Sequence, residues 1–309
     1  MNGTEIITYL ACNLPALSTT VSAITGSIFT AVFLRFKTGT KEFEKVKAGR
    51  FEEVAEELLD SGKMTYTEFY KAKNFLNVAR KADQYYFEEA KTEEAVDEYD
   101  FDWFMRFYEA VGDISDDKMQ ELWSKILAGE IAHPQKYSLR TIDALKNFSK
   151  HDAEMFEKII IDGGIIYLDQ DHVFLPSYDY YLEEHGIKYS QIMVLEEMGL
   201  INSGGFLVVQ IPLSEEEENL ILSNGDLSLF ARPVLKGKEQ KLQIHQYPLT
   251  GIGKEIASLY KLILSNKSLI SLARELKQQK PSEAQISVKR IVGFSNGLPV
   301  HEEKNLLDE

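Results

Sequence analysis

Small hydroxylated residues recur at a four-residue spacing near the start of this 309-residue sequence. They lie in a stretch of 29 residues, from Ile6 to Leu34, that contains no charged residue. On an α-helix, positions four apart drift slowly around one face, so this helix would be polar on one side and apolar on the other. Hydroxyl groups arranged in this way suit a close helix neighbour or a water-filled lumen. The residues of this face are Ser18, Thr19, Ser22, Gly26 and Thr30.

Two phenylalanines, Phe29 and Phe33, interrupt the polar face near its C-terminal end. Large apolar side chains in a narrow lumen can close it by excluding water. The alternative is that both are ordinary packing residues. With the polar face they complete the set of candidate pore-lining residues.

The uncharged stretch predicts one transmembrane helix from Leu14 to Leu34. At about 1.5 Å per residue, this segment extends about 31 Å, which matches the hydrocarbon core of a bilayer. Basic residues such as Arg35 and Lys37 follow it, whereas only Glu5 precedes it. The positive-inside rule therefore predicts an external N-terminus and a cytoplasmic body. A monomeric anchor and a buried helix of a soluble oligomer are the alternatives to an oligomeric pore.

A second group of candidate residues is basic and lies in the C-terminal third. Arg232, Lys236, Lys238 and Lys241 fall within ten residues of one another. The whole chain has 34 Lys and Arg against 49 Asp and Glu, a net charge of −15, which disfavours bulk binding to a nucleic-acid backbone. A local basic cluster can still contact the phosphates of a nucleotide or oligonucleotide. A solvated loop is the alternative interpretation.

The sequence contains no recognisable arrangement for catalysis or metal binding. It lacks a Walker loop, a G-x-G-x-x-G, a G-x-S-x-G, an H-E-x-x-H and a cysteine pair. His133 and His151 have no other ligand at a suitable spacing, and the single cysteine, Cys12, cannot form an internal disulfide. We therefore expect a protein that is not an enzyme and that uses no metal or cofactor.

The segment from Asp102 to Phe156 predicts four short helices with clear boundaries. The first runs from Trp103 to Val111, and Ser115 is the expected N-cap of the second, which should end at Gly129. Ser138 and Ser149 are the expected caps of the other two. Polar residues between packed helices usually form a satisfied internal network, so we expect a structural role rather than a catalytic one. The candidate structural residues are Trp103, Asp113, Gln120, Trp123, Glu130 and Arg140.

This segment resembles a bacterial family of unassigned function. The resemblance rests on the run DISDDKMQELWSKILAGE from Asp113 to Glu130 and on the preceding D-W-x-x-R-F element. It extends over residues 65 to 265, and the specific motif lies within 102 to 150. The family often has Pro-Gly after its G-E turn, where this chain has Pro134 and Gln135.

The resemblance implies a role in bacterial antiviral defence. A version with an N-terminal membrane helix is similar to the membrane effector of Hailong-type systems, whose partner is a nucleotidyltransferase that makes a nucleic-acid signal. The resemblance implies an inner-membrane location and a nucleotide or oligonucleotide ligand, but it supplies no catalytic residues.

The part after Gly163 predicts a smaller domain with both helices and strands. Short strands are expected at 165–168 and 173–175, a helix from Lys188 to Glu197, and further strands at 206–211 and 242–247. This order resembles a winged helix, although the helix has only Lys188 as a basic residue. We also expect a helix to begin within the acidic run Glu215 to Glu218, and a mobile charged tail from His301.

These observations predict a mainly α protein with a smaller α/β part. The expected divisions are a transmembrane helix (1–36), a helical domain (37–160), a degenerate winged-helix-like domain (161–265) and a C-terminal helix, strand and tail (266–309). We expect a homo-oligomer, with a tetramer as the working hypothesis, that forms an ion channel or pore controlled by a ligand-sensing body. The alternatives are a membrane-tethered interaction module without channel activity and a soluble winged-helix DNA-binding regulator.

Overall fold

The computed structural model describes residues 56, 59–62, 64–89, 100–166, 173–202, 207–216, 218–224, 226–235, 237–260, 265–279, 284–295 and 298–308. The predicted membrane span and all the predicted pore-lining residues lie outside this set. Among the residues described, no helix has the length and apolar character needed to cross a membrane.

The described residues form two compact units, with the division after Lys150. The division expected from the sequence was at residue 160. The strand of the C-terminal segment expected from residue 266 pairs within the second unit.

The first unit is helical. Its core is aromatic: Phe75 makes edge contacts with Phe104 and Phe107 at ring-centroid distances of 5.7 and 6.3 Å, and Phe107 lies 5.5 Å from Trp123. These four side chains are fully buried. The helices of this unit that the structure describes are α1 (Tyr66–Glu89), α2 (Phe101–Gly112), α3 (Asp117–Ala132) and α4 (Leu139–Leu145).

Side-chain caps determine where these helices begin. Thr65 and Glu68 form reciprocal hydrogen bonds before α1, as their spacing predicts. Ser138 caps α4, also as predicted. The predicted cap of α3 is wrong, because Asp116 and not Ser115 accepts hydrogen bonds from the first backbone N–H groups. Gly129 lies inside α3, which ends at Ala132.

The second unit contains both helices and sheets. Its helices are α5 (Lys150–Gly163), α6 (Asp179–Glu184), α7 (Tyr189–Glu197), α8 (Gly251–Ala257) and α9 (Asn266–Gln279). Its first antiparallel sheet has the order β1-β2-β6-β3, formed by β1 (Ile165–Ile166), β2 (Val173–Pro176), β3 (Leu207–Leu213) and β6 (Gln240–Pro248).

A second antiparallel sheet takes two of its four strands from the connection between β3 and β6. It has the order β4-β5-β7-β8, formed by β4 (Asn219–Asn224), β5 (Leu227–Pro233), β7 (Ala284–Ser295) and β8 (Leu298–His301). The helix α9 packs against β4, β5 and β7. Two predictions are corrected here. Glu215 to Glu218 lead into a strand rather than a helix, and His301 belongs to β8, with a 3₁₀ turn following at Leu306–Asp308.

The start of α8 is held against the end of α7. Thr250 caps α8 and donates its backbone N–H to the carbonyl of Leu200 at 2.9 Å, while its hydroxyl donates to the carbonyl of Gly199 at 2.5 Å. The backbone of Gly253 approaches Leu200 so closely that a Cβ would lie 2.0 Å from the Leu200 oxygen. This contact fixes the start of α8 relative to the end of α7.

Candidate ligand-binding site on the second sheet

Alternate residues of β5 and β7 share one face of the second sheet. Ser228 lies opposite Lys289, and Phe230 lies opposite Ser287. Because side chains alternate along a strand and paired residues point to the same side, these residues and Arg232 form one polar face. The other face is apolar and is covered by α9.

The carboxylate of Glu218, just before β4, lies at the centre of this polar face. Its Oε1 accepts a hydrogen bond from the Ser287 hydroxyl at 2.8 Å, and its Oε2 forms an ion pair with Lys289. The Arg232 guanidinium lies 3.9 Å from the same Oε2. Partial burial tends to raise the pKa of the Glu218 carboxyl, but the hydrogen bonds from Lys289 and Ser287 and the two positive charges hold it below its usual value.

A histidine and two serines extend this polar face. His301 Nε2 lies 2.8 Å from the Ser228 hydroxyl, which lies 2.6 Å from the Ser223 hydroxyl. Burial and the charge of Lys289 lower the pKa of His301. A histidine beside a serine is also the start of a nucleophilic site, but Ser228 has no exposed surface. In this conformation the pair cannot reach a substrate, so its role is to hold β8 to β5.

The predicted basic cluster is divided by the fold. Arg232 is at the end of β5, whereas Lys241 belongs to β6 of the first sheet and lies 3.8 Å from Glu239. Lys238 is exposed in the connecting loop, and Lys236 lies outside the described residues. The basic residue that joins Arg232 is therefore Lys289, which sequence spacing did not single out.

The residues that prediction missed have a weak sequence signal. The missed Ser228 and Phe230 lie four and two residues before the predicted Arg232, and the missed Ser287 and Lys289 are two residues apart. A two-residue period places side chains on one face of a strand, but it does not say which strands are neighbours.

The motif residues of the first unit mainly satisfy backbone groups. Glu130 accepts hydrogen bonds from the backbone N–H groups of Gln135 and Tyr137 at 2.7 and 3.0 Å. The Gln120 amide donates to the carbonyl of Ile114 at 3.0 Å, and the Trp103 indole donates to the carbonyl of Tyr137 at 2.8 Å. The contacts of Glu130 and Gln120 close turns between helices, and that of Trp103 joins α2 to the loop before α4.

Two other motif residues do not belong to an internal network. Asp113 follows α2 at the surface and lies 3.3 Å from Lys71, and Arg140 is exposed on α4. Their expected place between packed helices is therefore corrected, whereas Trp123 is fully buried in the core. Within the part of the chain that the structure describes, no group of three or more His, Cys, Asp or Glu side chains is placed to hold a metal ion.

A family of proteins of unknown function, DUF2806, matches residues 64–269, about two thirds of the chain. The chain belongs to the DUF2806 family. The prediction of a family of unassigned function is confirmed at this level. Comparisons with curated proteins and with solved structures found no match. The DUF2806 match includes Glu218 and Arg232 and ends before Ser287 and Lys289, so the polar face combines residues from inside and outside the matched range.

Proposed function

We propose that this protein is a membrane effector of bacterial antiviral defence that forms an oligomeric ion channel or pore. The observation that carries the proposal is the uncharged stretch from Ile6 to Leu34, which has a polar face and is followed by basic residues. The polar face would line or pack the pore, and Phe29 and Phe33 would narrow it. The defence setting rests on the resemblance of residues 102–150.

The two described units would form the cytoplasmic body that controls the pore. In the second unit, the order β2-β6-β3 with α6 and α7 between β2 and β3 supports a winged-helix-like fold. By this interpretation, the connection between β3 and β6 is an expanded wing, since it holds β4 and β5 of the second sheet. A body of this kind would bind a signal or partner through residues that are far from the pore helix in the sequence.

Ion flux from liposomes tests the proposal. We expect the purified chain to release a trapped ion, and the same protein without residues 1–36 to release none. If the chain inserts and assembles but gives no flux under any ligand condition, the pore proposal fails. If it does not insert at all, the membrane location also fails.

A pair of substitutions tests the pore face itself. Replacing Gly26 by Leu places a bulky side chain on the polar face, so we expect flux to fall at least tenfold because helices can no longer approach closely. The matched control is Ile24→Leu on the opposite, apolar face, which should keep flux within about twofold. Equal effects of the two substitutions would contradict the assignment of the faces.

A second candidate function is a membrane-tethered interaction module without channel activity. The outward residues of α6 and α7 favour it, since Tyr180, Tyr189 and Met193 are 68, 66 and 43% exposed. Partial burial and the nearby Tyr189, Asp179 and Glu196 raise the pKa of Tyr247, so one acidic side chain of α6 and one of α7 lie near this tyrosine. Such a surface fits a basic protein partner with apolar anchors.

The two functions respond differently to the same substitutions. For the interaction module, replacing both Tyr189 and Met193 by Ala should abolish antiviral protection in cells, and Gly26→Leu should be tolerated. For the pore, Gly26→Leu should abolish protection.

The DNA-binding alternative has the least support. In a winged-helix arrangement α7 would enter the major groove, where Arg, Lys, Asn and Gln read the bases. The exposed residues of α7 are Tyr189, Ser190, Met193 and Glu197, and none of them is basic. A shift of duplex DNA by the purified body at physiological salt would reverse this conclusion.

A further inference from the structure

We propose that Lys289, Ser287 and Arg232 form a binding site for a phosphate-bearing anion, and that the Glu218 carboxylate occupies this site in the absence of the anion. The proposal assigns a place and a ligand chemistry to the sensing role proposed for the body, and it rests on that role.

The three groups that contact the Glu218 carboxylate are hydrogen-bond donors that can also bind a phosphate group. A hydroxyl donates to Oε1 at 2.8 Å, an ammonium pairs with Oε2, and a guanidinium lies 3.9 Å from Oε2. Ionised donors of these types bind phosphate through charge-assisted hydrogen bonds, and the planar guanidinium can bind two oxygens at once. A phosphate group offers more charge and more acceptor oxygens to the same three donors than a carboxylate does.

Among the residues that the structure describes, two cations share one carboxylate at this site. Lys289 and Arg232 both pair with Glu218, in a chain whose net charge is −15. A purely structural ion pair needs only one cation for one carboxylate. Lys289 also lies 5.1 Å from the centroid of the Phe230 ring, so its amine is held at the site by a second contact.

One side of the site is exposed to solvent, and the Glu218 side chain can rotate out of it. The Arg232 side chain is 57% exposed, whereas those of Lys289 and Glu218 are 20 and 18% exposed, so an anion would enter from the arginine. Asn219 holds the loop through hydrogen bonds to both backbone groups of Ser214. A rotation of the Glu218 side chain therefore suffices to release the site without unfolding the loop.

Competition with Glu218 sets the affinity. An attached carboxylate is present at a high effective concentration, and the anion binds only the fraction of molecules in which Glu218 has rotated away. Removing the negative charge of Glu218 should therefore strengthen anion binding. A carboxylate that merely stabilises the sheet would not have this effect.

The test is calorimetric titration of the full chain, in detergent and phosphate-free buffer, with pyrophosphate and separately with ATP. We expect Glu218→Gln to bind about tenfold more tightly than the parent protein, and Lys289→Met to bind at least tenfold more weakly. Lys241→Met is the matched control, because this lysine lies on the other sheet beside Glu239. It should change the affinity by less than about twofold.

The outcomes are distinct. Tighter binding by Glu218→Gln supports the site, whichever of the two probes binds better. The probe that binds better shows whether the site prefers an inorganic phosphate or a nucleotide. An unchanged or weaker affinity in a folded Glu218→Gln protein overturns it, as does an equal loss with Lys241→Met. Because the titration needs no ion flux, a failed pore assay and a failed binding assay identify different errors.

A second readout measures the titration of His301 in the parent protein. Burial and the charge of Lys289 lower the pKa of His301, and the charge of Glu218 raises it. An anion bound at Lys289 would favour the charged imidazolium, so pyrophosphate should raise the pKa of His301 in an NMR titration of the histidine rings. A His301→Gln spectrum assigns the resonance, and an unmoved His301 titration at saturating pyrophosphate would contradict the proposal.

Discussion

The Glu130 carboxylate and the backbone N–H of Gln135 are joined by a 2.7 Å hydrogen bond that closes the turn between α3 and α4. Glu130 is only 5% exposed, and its other oxygen accepts from the backbone N–H of Tyr137. One buried side chain therefore satisfies two backbone donors that the turn leaves without helical partners.

Replacing Glu130 by Gln should destabilise the first unit by about 2 kcal/mol. The amide has one acceptor oxygen instead of two, and its NH₂ group would face a backbone donor. Both tryptophans of the chain, Trp103 and Trp123, lie in this unit, so denaturant unfolding followed by tryptophan fluorescence measures the change. The matched control is Glu121→Gln on the same helix, whose exposed carboxylate should matter by less than about 1 kcal/mol. Equal losses would contradict the role of Glu130.

Gln135 has a φ of 66°, the one positive value at a non-glycine residue among those described. An L-residue there costs about 1–2 kcal/mol of backbone strain that glycine avoids, and glycine's greater chain entropy cancels this gain only in part. We expect Gln135→Gly to raise the unfolding midpoint by a few degrees while keeping the hydrogen bond to Glu130. Gln135→Ala has the same backbone strain and should not stabilise. A gain with alanine as large as that with glycine would show that the backbone conformation is not the cause.

Gly253 is expected to tolerate no side chain. An alanine Cβ would lie 2.0 Å from the Leu200 oxygen, which is backbone and cannot move aside without moving α7 or α8. Gly253→Ala should cost about 3 kcal/mol or more. Gly251→Ala is the control in the same helix, because a Cβ there meets no atom within 4 Å, and it should be neutral or slightly stabilising. Hydrogen exchange of peptides from α7 and α8 measures both, and similar protection in the two variants would disprove the close approach.

We expect the folded protein to lose stability in acid because of the buried His185. Burial and the charge of Lys267 lower the pKa of its ring, although the hydrogen bond to the Tyr181 carbonyl and the nearby Asp162 and Glu184 favour the charged form. Because the folded pKa lies below the unfolded value of about 6.5, the unfolded chain binds more protons between these two values. This contribution to stability is complete above about pH 6.5 and declines as the pH falls towards the folded pKa.

His185→Asn isolates that contribution. Asparagine keeps a donor for the Tyr181 carbonyl and does not titrate, so the variant should be less stable at pH 7 but should lose less stability than the parent between pH 7 and 5. Hydrogen exchange of α6 and α9 at the two pH values measures the difference. His133→Gln, an exposed position, controls for the removal of any histidine. Parallel pH dependences in the parent and His185→Asn would refute the prediction.

Local chemistry made much of the fold predictable. The Thr65–Glu68 box, the Ser138 cap and the strands around residues 173–175 and 242–247 follow from hydrogen bonds or side-chain periods within a few residues. Where two caps compete at adjacent positions the signal is ambiguous, and Asp116 replaces Ser115 because its carboxylate reaches two backbone N–H groups. Membership of a family of unassigned function was also predicted correctly.

Prediction failed where a segment acquires its structure from a distant partner. Glu215 to Glu218 have a helix-like composition, but the chain that follows pairs with β5 and becomes β4. The tail from His301 is charged, yet β8 pairs with β7 and His301 contacts Ser228, 73 positions earlier in the chain. Composition alone does not reveal such pairing, because the backbone groups of an edge strand can form hydrogen bonds with any strand that lies beside it in register.

By itself, the sequence determined the uncharged N-terminal stretch, the helical first unit, the family and the presence of Arg232 in a basic segment. Only the tertiary structure decided that Arg232 shares a carboxylate with Lys289 and that Lys241 is elsewhere. The physical reason is register: β5 and β7 are separated by some fifty residues, and their hydrogen-bonded pairing, Ser228 opposite Lys289, determines which side chains meet. A one-residue slip would have placed those same residues on the face that α9 covers.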